Sequence, residues 1–126
     1  MEYVKSKSVV RHANSSNCIV YEYPMKNTEM NIGVAEITNR YPDEGYAINR
    51  IRCEMGYILK GSGKLVTETN EVDLSVGDVI YIPHGEKYYW EGTMTVILPA
   101  APAWYSEQHE NNLASDKQYS CDKLSL

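Results

Sequence analysis

Phenylalanine is absent from this chain and histidine occurs only three times, whereas tyrosine occurs eleven times. Aromatic packing must therefore rest largely on rings that carry a hydroxyl, and each buried hydroxyl needs water or a partner. That favours a wet or ligand-lined interior over a dry one. Clustered Lys and Arg are also missing, and the formal net charge is −5. Nucleic acid and anionic membrane both require such clusters, so neither is expected as a partner and a small molecule is. No stretch approaches the roughly 18 to 20 apolar residues of a membrane span. The opening MEYVKSKSVVRH has an acidic residue and no apolar signal core, so a cytoplasmic location is expected. The cysteines Cys18, Cys53 and Cys121 are odd in number and without CxxC spacing, which suits reduced thiols rather than a disulfide framework.

What remains, in 126 residues, is enough for one domain and too little for two. From Asn17 onward the sequence reads as short runs rich in Val, Ile, Tyr and Thr, cut by Gly, Pro, Asn and Asp. Expected strands are Cys18 to Tyr23, Met30 to Thr38, Tyr46 to Leu59, Lys64 to Thr69, Glu71 to Leu74, Val79 to Pro83, Lys87 to Trp90 and Thr93 to Leu98. Turns are expected at Pro42-Asp43-Glu44-Gly45, Gly61-Ser62-Gly63, Val76-Gly77-Asp78 and His84-Gly85-Glu86. Many short, evenly spaced strands suit an all-β closed barrel or two-sheet jelly roll, which shields sheet edges. Residues 1–16 read as an N-terminal arm, 17–104 as the β domain and 105–126 as a polar tail.

The segment from Gly77 through Pro83-His84-Gly85 to Tyr88 resembles the second sequence motif of cupins, in which a glycine, five residues and Pro-x-Gly end on a histidine. Glu54, followed after six residues by Gly61, resembles the second half of the first cupin motif. Order and separation agree with the family, over roughly Arg50 to Leu98. The resemblance implies a cupin-type double-stranded β-helix, an RmlC-like jelly-roll barrel, and it implies a homodimer.

The departures bear on chemistry. Most metal-binding cupins place a His-x-His pair before the glutamate and a histidine at the end of the second motif. Here those positions hold Ile48 and Arg50, or Ala47 and Asn49, and Tyr88. The three histidines present, His12, His84 and His109, stand elsewhere and read as surface or turn residues. In cupins such as ectoine synthase a glutamate, a tyrosine and a histidine hold the metal, and the motif alignment puts Glu54 and Tyr81 on the first two positions. Two phenols and a carboxylate suit zinc or nickel poorly, since both prefer imidazole and thiolate. No metal or other cofactor is therefore assigned, and a hard, oxygen-preferring divalent ion is the alternative left open.

If Glu54 faces inward as in the family, strand alternation puts Arg50, Arg52, Gly56 and Ile58 on the same face. An interior guanidinium cannot shed its proton, so Arg50 or Arg52 either pairs with Glu54 or binds the carboxylate or phosphate of an anionic ligand. Tyr81, Tyr88 and Trp90 follow as aromatic walls, and Trp104 and His109 on the exit segment as closing groups at the mouth. The same residues are equally readable as core and packing anchors. Three functions fit: a metal-independent isomerase or lyase with Glu54 as base and Tyr81 or Tyr88 as second proton-transfer group, a non-catalytic binding or sensing barrel, and an oxygen-ligand metal enzyme like ectoine synthase or the ethanolamine-utilization cupins.

Overall fold

The computed structural model describes residues 1–103 and, for the backbone, 122–123. The polar tail and the candidate residues Trp104 and His109 lie outside the described residues. After a short 3-10 turn at Ser6–Ser8 the chain forms strands throughout: β1 (Val10–Ser15), β2 (Cys18–Glu22), β3 (Asn31–Ile37), β4 (Arg40–Tyr41), β5 (Ala47–Ile48), β6 (Cys53–Thr67), β7 (Glu71–Ser75), β8 (Val79–Ile82), β9 (Lys87–Ala101) and β10 (Asp122–Lys123). Among the described residues no helix is long and apolar enough to cross a membrane. The arm expected over residues 1–16 lies partly in the sheet, because β1 pairs with β2.

Two long strands build the jelly roll. The first part of β6 pairs with β8 and with the end of β9, while its second part pairs with β7 and the beginning of β9. One layer therefore runs β1-β2-β3-β9-β6-β8, and the other carries β4 and β5 on β9, with β6 and β7 beyond. All pairings among the described residues are antiparallel, and the two layers share β6 and β9, the arrangement of a jelly roll.

Gly61-Ser62-Gly63 is not the turn its composition suggests. The chain runs straight through it inside β6, and Lys87 to Leu98, expected as two strands, is one strand. The register shifts between Ile58 and Lys60, and Gly63 faces Gly92. A Cβ on Gly92 would stand 2.5 Å from Gly63 Cα, so the glycines serve close backbone approach at the bend and not chain reversal. Bending both strands together lets each belong to both layers.

The layers enclose one core. Ile37, Ile58, Ile82 and Val96 come from the first layer, and Tyr41, Leu65, Leu74, Tyr88 and Trp90 from the second. Each large side chain so buried contributes roughly 1.5 to 3 kcal/mol. Gly56 is inward-facing and small for a reason: a Cβ there would meet the far edge of the Trp90 ring at 3.1 Å and Val96 Cγ1 at 3.1 Å.

Candidate functional site

The run expected as one strand from Tyr46 to Leu59 is broken. Residues 49–52 form a loop between β5 and β6, held by the Gly85 amide donating to the Asn49 carbonyl at 2.6 Å. Strand alternation therefore does not extend back to Arg50, which is exposed to solvent instead of facing inward. Arg52, at the end of the same loop, is half-buried and lines a cavity.

That cavity, about 110 Å³ in volume, opens at the end of the first layer where β2 ends and β3 and β6 begin. Glu54 stands in its wall and is only 4 % exposed. Its place on β6, between Ile82 of β8 and Ala100 of β9, leaves the carboxylate pointing inward while Cys53 and Met55 point out. A buried carboxylate is costly unless it gains partners. The Tyr88 hydroxyl, fully buried on the other layer, donates to Glu54 Oε1 at 3.3 Å.

The cavity brings Arg52 and Glu54 together with four polar residues that sequence reasoning passed over. His12 and Asn14 come from β1, Glu22 from the end of β2 and Asn31 from the start of β3. His12 read as a surface histidine; it is exposed, yet it is part of the rim. The signal was weak because β2 is Cys-Ile-Val-Tyr-Glu, apolar on both faces until Glu22. Only the pairing of His12 with Val20, itself packed on the core, reveals that β1 turns this side toward the cavity.

Two aromatic residues do not stand where the motif implied. Tyr81 is 55 % exposed and lies opposite exposed Met55 on the outer surface, because Ile80 and Ile82 take the inward positions of β8. Its phenol lies beside the Cys53 thiol, which by hydrogen bonding and charge pushes it above the ordinary phenol value. Trp90 is 2 % exposed and fills the core against Gly56, so it packs beneath the site without lining the cavity.

These placements decide how well the residues fit the metal that many cupins carry. Of the positions that hold its ligands elsewhere, Ile48 and the alternative Ala47 are buried hydrocarbons, Arg50 is in solvent, the alternative Asn49 is a buried amide and Tyr88 is a phenol bonded to Glu54. Tyr81 faces away, so the glutamate-tyrosine arrangement implied by ectoine synthase does not form. Among the described residues no three His, Cys, Asp or Glu side chains are grouped to hold a metal ion. The donor set does not fit. What the site can do is acid-base chemistry: a buried carboxylate, a phenol bonded to it and a guanidinium at the same cavity can hold a polar molecule and move a proton.

Comparison with known proteins agrees with this architecture. The cupin-domain family model matches residues 49–98, which span both motifs. The chain carries a small cupin domain. Its RmlC-like form is shared with an RmlC-like cupin from Shewanella frigidimarina, at 13 % identity, with 85 % of this chain and 96 % of that chain covered and a TM-score of 0.67. The nucleoside dehydratase Pac13 of Streptomyces superposes with a TM-score of 0.73 at 16 % identity, covering 85 % of this cupin and 87 % of that chain. KdgF from a Halomonas species gives 0.68 at 12 % identity, with 85 % and 98 % covered. At such identities these likenesses show the fold alone. No curated protein matches the sequence at a significant level.

Proposed function

We propose that this cupin binds a small polar molecule in the cavity at Glu54 and performs a metal-independent proton transfer on it, as an isomerase or lyase. The observation that carries the reading is the buried Glu54–Tyr88 pair, in the wall of a cavity that also presents Arg52. Removing a proton beside a carbonyl or carboxylate needs a base out of bulk water and a cation to hold the oxygen on which charge develops. Glu54 supplies the first and Arg52 the second. The proton returns at the neighbouring carbon in an isomerisation; in an elimination the leaving hydroxyl takes a proton and departs as water.

The lining also favours one class of ligand. Glu22 and Glu54 set two carboxylates against Arg52 and the His12 imidazole, with the amides of Asn14 and Asn31 between. A molecule rich in hydroxyls, with one anionic or carbonyl oxygen placed at Arg52, suits this better than a highly charged one. The likeness to a nucleoside dehydratase supports the lyase side of the reading, since that protein eliminates water on the same fold.

The test is a thermal-shift screen with uridine, sugar acids, sugar phosphates and keto acids, followed by turnover assays on each probe that binds. One of these classes should raise the melting temperature, and Arg52→Met should weaken its binding about tenfold or more. Glu54→Gln should leave binding within a few-fold while abolishing turnover. Retained turnover in Glu54→Gln would overturn the catalytic role. Binding without turnover by the wild-type protein would make it a binding or sensing barrel.

A further inference from the structure

The cavity at Glu54 is chemically unlike at its two ends. Along β2 the side chains of Cys18 and Val20 reach the core, so Glu22, two residues on, turns to the same inner side and joins the cavity lining. Register runs from Glu22 to Gly33 of β3 and on to Leu98 of β9, next to the row in which Ala100 faces Glu54 of β6. Three strand spacings of about 4.8 Å thus separate the backbones at Glu22 and Glu54. Gly33 lies between them with no side chain, so a ligand can stretch across it.

Arg52 brings N–H donors and a fixed positive charge to one end. The other end is rich in acceptors. The Glu22 carboxylate has no ion pair among the described residues. Asn14 directs its amide nitrogen to Cys18 Sγ at 3.9 Å, which leaves its Oδ1 to accept. Asn31 adds a second amide oxygen, and the His12 imidazole adds an acceptor nitrogen in its uncharged form. A hydroxyl has one proton for such an end; an ammonium has three, and its charge strengthens each bond it makes to a carboxylate. Given a cavity that binds its ligand at Arg52, as proposed, we infer that this ligand is a zwitterion: its carboxylate sits at Arg52, its ammonium sits at Glu22, and the chain between them lies across Gly33. The two charges must then be several bonds apart, as in an ω-amino acid or an amino sugar acid, and an α-amino acid is too short to reach both ends. Glu54 follows Arg52 by two residues and so stands near the carbon that adjoins the carboxylate, where a base is needed.

The test is calorimetric titration of the full chain with γ-aminobutyrate, δ-aminovalerate and ε-aminocaproate, each beside the ω-hydroxy acid of the same length, and with glycine. At least one of the three amino acids should bind about tenfold or more tightly than its hydroxy counterpart, and glycine should bind more weakly than that amino acid. Glu22→Gln should erase the preference and leave the affinity for the hydroxy acid unchanged. Glu22 is exposed, so this variant should keep the wild-type circular dichroism spectrum and melting temperature. Equal affinity for amino and hydroxy acids overturns the proposal, as does a preference that survives in Glu22→Gln. Failure of every amino acid to bind overturns it too, and a neutral polyol or sugar acid that still binds through Arg52 then leaves the function of the cavity standing. Amino-acid binding that Arg52→Met leaves undiminished would overturn the assignment of the cavity and this one with it.

Discussion

Tyr88 and Glu54 join the two layers of the jelly roll through a hydrogen bond of 3.3 Å, phenol to carboxylate, with both groups out of solvent. Tyr88→Phe keeps the ring volume and deletes the donor. The carboxylate then loses a partner it cannot replace with bulk water. Urea unfolding should show a loss of about 1 to 3 kcal/mol with an unchanged m-value, since the core is not reshaped. An unchanged midpoint would mean that the bond contributes nothing to the fold.

Gly56 and Trp90 hold a second relationship between the layers. A methyl group on Gly56 would press on the Trp90 ring and Val96 Cγ1 at 3.1 Å each and on Ile80 Cγ2 at 3.2 Å, tighter than ordinary packing. Gly56→Ala should therefore cost roughly 1 to 3 kcal/mol by overpacking. Because Trp90 is one of two tryptophans, the near-ultraviolet spectrum should change with it. Stability equal to wild type would show that the ring has room to move.

The parts of this molecule that were legible in the sequence are those where residue type and geometry are tied. Gly77 has a positive φ of 93° in a turn closed by the Asp78 amide on the Ser75 carbonyl, as Val-Gly-Asp predicts. Glu54 was marked by its resemblance to the glutamate of the first cupin motif, and it is buried. Parity was not legible in β8, where Val-Ile-Tyr-Ile is apolar on both faces and Tyr81 could be read either way. Nor was the rim, because His12 and Glu22 lie on neighbouring strands that meet Arg52, Glu54 and Ala100 only once β3 pairs with the distant β9. Apolar residues on both faces, such as Val34 and Ile97 outside beside Ala35 and Val96 inside, erased the alternation that would have told inside from outside.

The bend of β6 and β9 offers a comparison between two glycines. Gly92 has φ 128°, and a Cβ there would lie 2.5 Å from Gly63 Cα and 2.6 Å from the Ser62 carbonyl oxygen, both backbone atoms that cannot swing aside. Gly92→Ala should cost about 3 kcal/mol or more, from strain and clash together. Gly77→Ala has the backbone cost alone, since nothing lies within 4 Å of its Cβ, and should lose about 1 to 2 kcal/mol. Equal losses in thermal melts of the two variants would show that the close crossing of the strands is not what demands glycine at position 92.

The N-terminus is tied to the rim of the cavity by one carboxylate. Glu2 accepts the Asn27 side-chain amide at 2.9 Å and the Lys26 backbone amide at 2.8 Å, and Asn27 in turn accepts the Glu29 and Met30 amides at 3.0 Å each. This loop begins after Glu22 and ends at Asn31, two residues of the cavity lining. The Asn27 side chain first, then the Lys26 amide, holds Glu2 below the usual carboxylate value of 4.5. A lowered folded-state pKa means that the tether is fully present above the unfolded value and is lost as pH falls through the folded one. Hydrogen exchange at Lys26 and Asn27 should therefore accelerate in acid, relative to the core strands, only below the usual carboxylate range. Glu2→Gln should weaken the tether at neutral pH and flatten that dependence. Acid acceleration that persists undiminished in the variant would assign the effect to another group.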